Sequence, residues 1–555
     1  MHPDSELAPT DRRTRRVSLR LVILTAILLL ALVLRLNGIG LGLPGLYDPD
    51  EPLFLINGLQ LLRDATLQPG WFGHPGTTTI YMLALTDIGV FLAGLASGAW
   101  SGPAAFADQL YIDPSPAVLP ARLLITLMAV AVVAATARLG HVLGDAPGGL
   151  VAALFLAVSP LHVELSQLVR TDIMVSLAGV IAMLAAVRIA NAGKRRDIIV
   201  GGLWIGAAVA TKWPGAFFAM APLGAIWLHH GNDRVTLMRH AALFVLVMTL
   251  TVLVLMPPLW LQPTAVWAAL LREAAPAHVG ATGSGFWGNL VWYVGHALVR
   301  ALDWVGVALA AAGLGLVAWR RDRRILVVVV LPSLVLLLVF ASQANVWQRW
   351  LVPLLPTAAL LAGFALMTMM RRLLPAQMPR AGILAAVLLA IPLAMTTWGE
   401  GRARGNPTEA RAVTWALANI PPGASVTTEM LAFPLLGGGW QIRFPLGMLG
   451  CPDGRALLAG KVNFNDASHA QAGRQKIVLG TVLPGKLADC WSDYVIVHDQ
   501  DRWLAERRQY PKEAAIYETL LARGRIVAEF RPEPGRSSGP RTLIVQLSQS
   551  KGNTR

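Results

Sequence analysis

Residues 47–52 read Tyr47-Asp48-Pro49-Asp50-Glu51-Pro52, shortly after the first long apolar run, Leu21–Leu34. Three carboxylates within four residues repel one another and are costly to take out of water. Beside a membrane such a cluster needs a reason, and chemistry supplies one: a general base, a metal ligand, or both. The structural alternative is capping, since acids favour the positive end of a helix, here one over Leu53–Leu62. Capping needs one acid, not three. Asp50 is therefore the candidate base, with Asp48 and Glu51 as alternatives or as groups that tune it.

The surrounding chain has the composition of an integral membrane protein. Apolar residues make up 55% of the 555 and charged residues 14%, and the mean hydropathy is +0.55. A soluble domain carries about a quarter charged residues. Arg12, Arg13, Arg15 and Arg16 precede Leu21–Leu34. That run is long for a signal peptide and no clear small-residue cleavage site follows, so it reads as a retained first span. The net charge of +15 is not a nucleic-acid signature. The basic residues cluster between apolar runs, where they set topology, and form no continuous basic face with interleaved aromatics. No Walker A loop, HExxH or Ser-His-Asp signature is present. Gly40-Leu41-Gly42-Leu43-Pro44-Gly45 matches a dinucleotide motif by letter, but it follows a span and not a strand.

Basic clusters fall at 12–20, 138–141, 188–196, 234–239, 320–324 and 371–380. Placing them all in the cytoplasm gives an α-helical polytopic protein of about 11 spans, with the N-terminus inside and the C-terminus outside. The spans fall near 21–37, 119–137, 147–161, 173–190, 198–211, 213–228, 241–259, 301–319, 325–341, 350–370 and 381–398. Thr77–Ala96 is apolar enough to cross but carries Asp87, and counting it as a span would invert every later loop. It is read as a juxtamembrane or re-entrant helix of the first outer loop, the alternative being a true span paired with a further crossing. Runs 147–161 and 198–211 are short; the first makes a helix of roughly 22 Å against about 30 Å of hydrocarbon.

The expected organisation is a basic cytoplasmic N-terminus, 1–17, a membrane domain, 18–398, and an extracytoplasmic α/β domain, 399–555. The outer loops of the membrane domain are 38–118, 160–171 and 262–300. The last is rich in Gly and Trp and reads as a mobile lid. Trp260, Trp267, Trp287, Trp292 and Trp304 read as an interfacial belt. In the C-terminal domain Ala410–Asn419 reads as a helix, Pro421-Pro422-Gly423 as a turn, and Ala424–Thr428, Tyr494–His498, Ile526–Phe530 and Thr542–Leu547 as strands. Cys451 and Cys490 are the only cysteines. In an oxidising compartment they suit a disulfide; two buried thiols are the alternative.

Other polar groups stand out against the apolar background. His74, in Phe72-Gly73-His74-Pro75-Gly76, suits a metal, a phosphate or a proton shuttle, or is simply a turn residue. Ser159–Asp172 carries His162, Glu164, Arg170 and Asp172 between two apolar runs. Intramembrane ions read as functional by default, against an internal Arg170–Asp172 or Glu164–Arg170 pair. Lys212 in Thr211-Lys212-Trp213-Pro214 is a phosphate ligand or a snorkelling lysine. Arg349, between Trp347 and Trp350, is a phosphate ligand or an interface anchor. Asp50, Glu51, His74 and Asp172 are the possible ligands of a divalent metal; no other cofactor is indicated.

In order, these motifs resemble the GT-C superfamily of membrane glycosyltransferases, nearest the bacterial group of aminoarabinose transferases and relatives of protein O-mannosyltransferases. Asp50-Glu51 resembles the family's first-loop acidic motif, and Phe72–Gly76 stands where its Pro-containing loop motif stands. The segment ending Arg170-Thr171-Asp172, the Thr211-Lys212 pair and Arg349–Pro353 resemble further motifs, and Arg402–Gly423 is similar to the start of the soluble domain in some members. The likeness spans roughly 18–425 and rests on the order of individually weak motifs. It implies a polyprenyl-phosphate sugar donor, a lipid, glycan or protein acceptor, inversion at the anomeric carbon, and a site on the outer face of a bacterial inner membrane. Asp50 would be the base, with Lys212 and Arg349 near the donor phosphate; His74, Arg170 and Asp172 are the further substrate-binding candidates. Two departures matter. Gly73-His74-Pro75-Gly76 replaces a Glu-Lys-Pro-Pro, removing a lysine, and Trp350 replaces a tyrosine, removing a hydroxyl. The rival class is a transporter or flippase of a lipid-linked or anionic substrate. Such proteins show internal repeats and mid-membrane charges, whereas no clear repeat is visible here and the charges gather at one face. A third reading, a non-catalytic assembly subunit, would make 400–555 the working part.

Overall fold

The computed structural model describes residues 9–48, 50–73, 76–273, 282–377, 380–430, 433–458 and 478–547. The chain opens with α1 (Pro9–Leu36), α2 (Glu51–Arg63), α3 (Thr77–Ser97), α4 (Pro103–Ile112), α5 (Ser115–Val142), α6 (Ala146–Val158), α7 (Pro160–Ser166), α8 (Asp172–Ala192) and α9 (Arg195–Thr211). Further helices at Met220–His230, Arg234–Leu255, Leu298–Arg320, Leu331–Ala341, Leu355–Leu373 and Arg380–Arg404 complete the body. Its core is continuous, running from Ala31 through Val132, Phe155, Met183 and Phe244 to Leu360. Small residues let the helices approach. A Cβ at Gly140 of α5 would lie 2.3 Å from the Cα of Gly149 in α6, so only glycine fits that crossing.

Among the described residues, nine helices are long and apolar enough to cross a membrane, or ten if the bent pair α6–α7 counts as one span. The sequence reading of about 11 spans differs from this in specific places. The short run 147–161 is a broken helix, bent by 62° where Ser159 and Pro160 interrupt it. Proline has no N–H to give and suits a first helical turn, and Ser159 caps that new start by accepting from His162 N at 3.4 Å. Residues 198–228 form α9, a 3-10 stretch Trp213–Ala219 and the helix Met220–His230, each short of a full span alone. In the expected lid, residues 285–300 are helical and continuous with Leu298–Arg320 through a π turn, while 274–281 lie outside the described residues.

Thr77–Ser97 is one of the nine by length and composition. Its packing is unlike that of the other long helices. Ile80, Leu83 and Ala84 share a cluster with Ala121, and Phe91 packs on Phe106 in a cluster with Ala117 and Val118. α3 thus packs through its first half on α2 and the start of α5, and through Phe91 on α4. Asp87 is buried there with neither oxygen hydrogen-bonded to protein.

The C-terminal unit begins with the helix Thr408–Asn419 and holds a five-stranded sheet of order β2-β1-β3-β5-β4. The strands are β1 (Ser425–Thr428), β2 (Gln441–Arg443), β3 (Tyr494–Val497), β4 (Gly524–Phe530) and β5 (Thr542–Leu547). β1 pairs parallel with β2 and β3, and β5 pairs antiparallel with β3 and β4. Alternation puts Val495, Val497, Leu543 and Val545 on one face against Ile516, Tyr517 and Leu520. Ile496 and Ile544 face the other way, against Ala412, Val413 and Ala416 of the first helix. Cys451 and Cys490 form a disulfide, with Cα atoms 5.1 Å apart. The unit meets the helical body beside the acidic cluster: Tyr47 packs on the Ile420–Trp440 core, and Leu436 on Leu46 and Phe106.

Candidate functional site

Each carboxylate of the 48–51 cluster is paired with a cation, Arg170 serving both aspartates, which is how the repulsion is relieved. Glu51, first residue of α2, is gripped by Arg122 of α5 through two parallel bonds, Nε–Oε1 at 2.9 Å and Nη2–Oε2 at 2.6 Å. Both side chains are 1% exposed. Arg122 also donates to the carbonyls of Ile39 and Leu41, and Glu51 Oε1 accepts from Val169 N. This bonded pair fastens the first loop to α5 and to the α7–α8 link. Asp48 does the capping: its Oδ1 accepts from the backbone N–H of Asp50 and of Glu51, at 3.0 and 3.2 Å. Its other oxygen lies 2.5 Å from Arg170 Nη2.

Asp50 is turned differently. Its Oδ2 lies 2.7 Å from Arg170 Nη1 and accepts from Arg349 Nη1 at 2.8 Å. It is the most exposed of the three, at 22% against 12% for Asp48 and 1% for Glu51. Burial works against the Arg170 charge, and Asp48 and Asp50 outweigh it, holding the guanidinium above its ordinary pKa as a permanent cation. Arg349 also lies over the Trp347 ring, 4.8 Å from its centroid, which fixes the side chain from behind. Trp350 points elsewhere and stacks on Phe340.

Lys212 stands where α9 ends, and its extended backbone turns the chain into the 3-10 stretch. Its ammonium donates to Asp172 Oδ1, the first residue of α8, at 2.7 Å, and both are buried. Arg349 and Arg170 lie near enough to act on Asp172 electrostatically, so the two halves form one charged site. The start of α3 is tied to it as well: Gly76 N donates to Thr211 O at 3.1 Å, and the Thr78 and Thr211 hydroxyls are 2.7 Å apart. Phe72 and Gly76 are therefore both held beside the Ala210–Trp213 turn. His74 itself lies outside the described residues.

The structure thus joins Asp48, Asp50, Arg170, Asp172, Lys212 and Arg349, and sets Glu51 behind them. Neither internal pairing of the 159–172 segment occurs: Arg170 goes to the first loop and Glu164 pairs with Arg300, which also reaches Glu400 at 3.0 Å and Gln348 at 2.5 Å. His162 is buried beneath, its Nδ1 2.8 Å from Arg35 Nη2. Arginine only donates, so this nitrogen accepts and the imidazole is neutral. Arg122 and Arg300 are absent from the sequence reading. Isolated arginines within or beside apolar helices carry no spacing that marks their partners, but an unbalanced acidic cluster does imply hidden cations. No three His, Cys, Asp or Glu converge as a metal site among the described residues. Of the four possible metal ligands, Asp50, Glu51 and Asp172 are each paired with a cation, and His74 lies outside the described residues.

A helical membrane body with a buried charged site at one end and a small α/β unit over it is the class these features define. Residues 106–261 match the family model described as dolichyl-phosphate-mannose-protein mannosyltransferase. Similar solved structures include ArnT from Cupriavidus metallidurans bound to undecaprenyl phosphate, at 14% identity and a TM-score of 0.50, covering 98% of this chain and 99% of that one. Another is the archaeal oligosaccharyltransferase AglB from Archaeoglobus fulgidus, in complex with an inhibitory peptide and a dolichol-phosphate, at 14% identity and a TM-score of 0.52, covering 96% of this chain and 75% of that one. No curated protein sequence matches the chain. The protein has the fold of the GT-C membrane glycosyltransferases, as its motif order suggests.

Proposed function

We propose that the protein transfers a sugar from a polyprenyl-phosphate donor to an acceptor hydroxyl or amine at the outer face of a bacterial inner membrane. The observation that carries this is the contact of Arg349 with Asp50, the more exposed end of a linked set of three cations and three carboxylates. A donor phosphate offers Arg349 and Lys212 a charged acceptor in place of Asp50 and Asp172. Asp50, relieved of one guanidinium and the most exposed carboxylate of its cluster, then takes the acceptor's proton. The acceptor oxygen or nitrogen attacks the anomeric carbon, the bond from that carbon to the phosphate oxygen breaks, and the polyprenyl phosphate leaves with the electron pair, stabilised by Arg349 and Lys212. A single displacement of this kind inverts the anomeric centre. Asp48 and Arg170 hold Asp50 in place, and Glu51 with Arg122 holds the loop.

Two further features support an outer-facing site. The disulfide suits an oxidising compartment. The basic clusters at 188–196, 234–239, 320–324 and 371–380 lie at helix ends remote from Lys212 and Arg349, as positive-inside topology requires. The test compares wild type with Asp50→Asn for transfer of radiolabelled sugar from membrane lipids. Transfer falls by about 10²–10⁴-fold, with labelled polyprenyl-phosphate sugar accumulating and membrane insertion unchanged. Undiminished transfer would remove Asp50 as the base.

A further inference from the structure

We propose that the end of the helical body remote from Asp50 binds an anionic glycerophospholipid, with one acyl chain in a groove between Leu298–Arg320 and Leu355–Leu373 and the phosphate at Arg372. The two helices run side by side in the same direction, since Arg300 and Gln348 meet at one end of the pair. They touch closely at Gly313, where an added Cβ would lie 2.0 Å from Leu361 O. Along one side of this seam lies a groove of about 440 Å³. Leu309, Ala312 and Leu316 line one wall and Ala365 and Met369 the other, and Trp319 and Arg372 stand at its end. Gly315 opens directly onto it: a Cβ there would meet nothing within 4 Å.

Length and charge identify the occupant. From Leu309 to Trp319 the groove covers about 15 Å of helix, half of an apolar layer about 30 Å thick. It thus matches a chain from one leaflet. The polar end is basic. Arg320, Arg321, Arg323, Arg324, Arg371 and Arg372 gather there, and among the described residues the carboxylates paired with them are Asp322 and Asp145. Arg371 is paired with Asp145 at 2.5 Å. Among the described residues Arg372 has no carboxylate within ion-pair reach; it sits 5.9 Å over the Trp319 ring, at the mouth of the groove. A guanidinium so placed suits a phosphate, and basic pockets between spanning helices favour anionic headgroups. Because Lys212 and Arg349 lie at the opposite end, this groove faces the other leaflet from the proposed donor site, and it rests only on the membrane body and not on the transfer reaction.

Native mass spectrometry of the full chain in non-ionic detergent tests this, with phosphatidylglycerol and phosphatidylcholine of identical acyl chains as probes. Wild type retains one phosphatidylglycerol at concentrations where phosphatidylcholine is lost. Arg372→Gln weakens that binding about fivefold to tenfold, and Gly315→Leu, which puts a side chain into the groove from a position where a Cβ meets nothing within 4 Å, abolishes it. Equal retention of phosphatidylcholine would overturn the proposal, as would wild-type retention in both variants. One-for-one displacement by undecaprenyl phosphate would also overturn it, by reassigning the groove to a polyprenyl lipid.

Discussion

Glu51 holds Arg122 with both oxygens where neither reaches water, so its replacement is a matter of stability. Glu51→Gln leaves a buried guanidinium without its counter-charge, at a cost of roughly 3–5 kcal/mol. The expected outcome is a clear fall in the thermal unfolding midpoint in detergent. Asp50→Asn, by contrast, unfolds close to wild type while transfer is lost. Lys212 and Asp172 combine both roles. Lys212→Met strands a buried Asp172 carboxylate and is destabilised by a similar roughly 3–5 kcal/mol. Adding Asp172→Asn removes the stranded charge and restores much of the folding but, if Lys212 is a donor ligand as proposed, not transfer. Recovery of transfer in the double variant would exclude Lys212 as a donor ligand.

At the scale of elements, the helix Thr408–Asn419 begins with Glu409 buried between the sheet and the 538–540 segment. Burial pushes this carboxyl above its ordinary 4.5, against the opposing pull of its hydrogen bonds and His498. The unfolded chain therefore ionises first as pH rises. The stabilising contribution is complete below the ordinary carboxylate value and is lost as pH rises through the folded one. Glu409→Gln removes this dependence: it unfolds later than wild type near about pH 8, and the difference disappears near about pH 4. Thermal unfolding at the two pH values checks this. A parallel shift at both would mean that burial of the charge is not the cause.

At the scale of the whole molecule, the site is assembled from four stretches of chain that meet only in three dimensions: the 48–51 loop, the 170–172 link, the end of α9 and the turn before Leu355. The proposed outer placement makes a topological prediction. Reporter fusions after Gly193 and after Asp322 should fluoresce with a cytoplasmic reporter, and one after Asn406 should be active only with a periplasmic phosphatase. The reverse pattern would move the site to the cytoplasmic face and remove the polyprenyl donor with it.

The sequence by itself determined the class of fold. Apolar runs, Arg-rich turns and the alternating Val and Ile of β3 and β5 are local patterns whose period follows from helix and strand geometry. It also marked the acidic cluster, Lys212 and Arg349, because a charge in an apolar setting stands out without any knowledge of its partner. It could not say which cation meets which carboxylate. Arg122 lies 71 residues from Glu51, and Arg349 lies 299 from Asp50. Such pairings are set by helix packing, which no local spacing encodes. The same holds for α3, whose hydropathy is that of a span but whose neighbours, α2, α4 and the start of α5, no local pattern names. β2, three residues long, is too short for an alternation to show, and only its parallel pairing with β1 makes it a strand. Only the tertiary structure separated three adjacent acids into a cap, a candidate base and a buried clamp, because packing decides which of them water and substrate can reach.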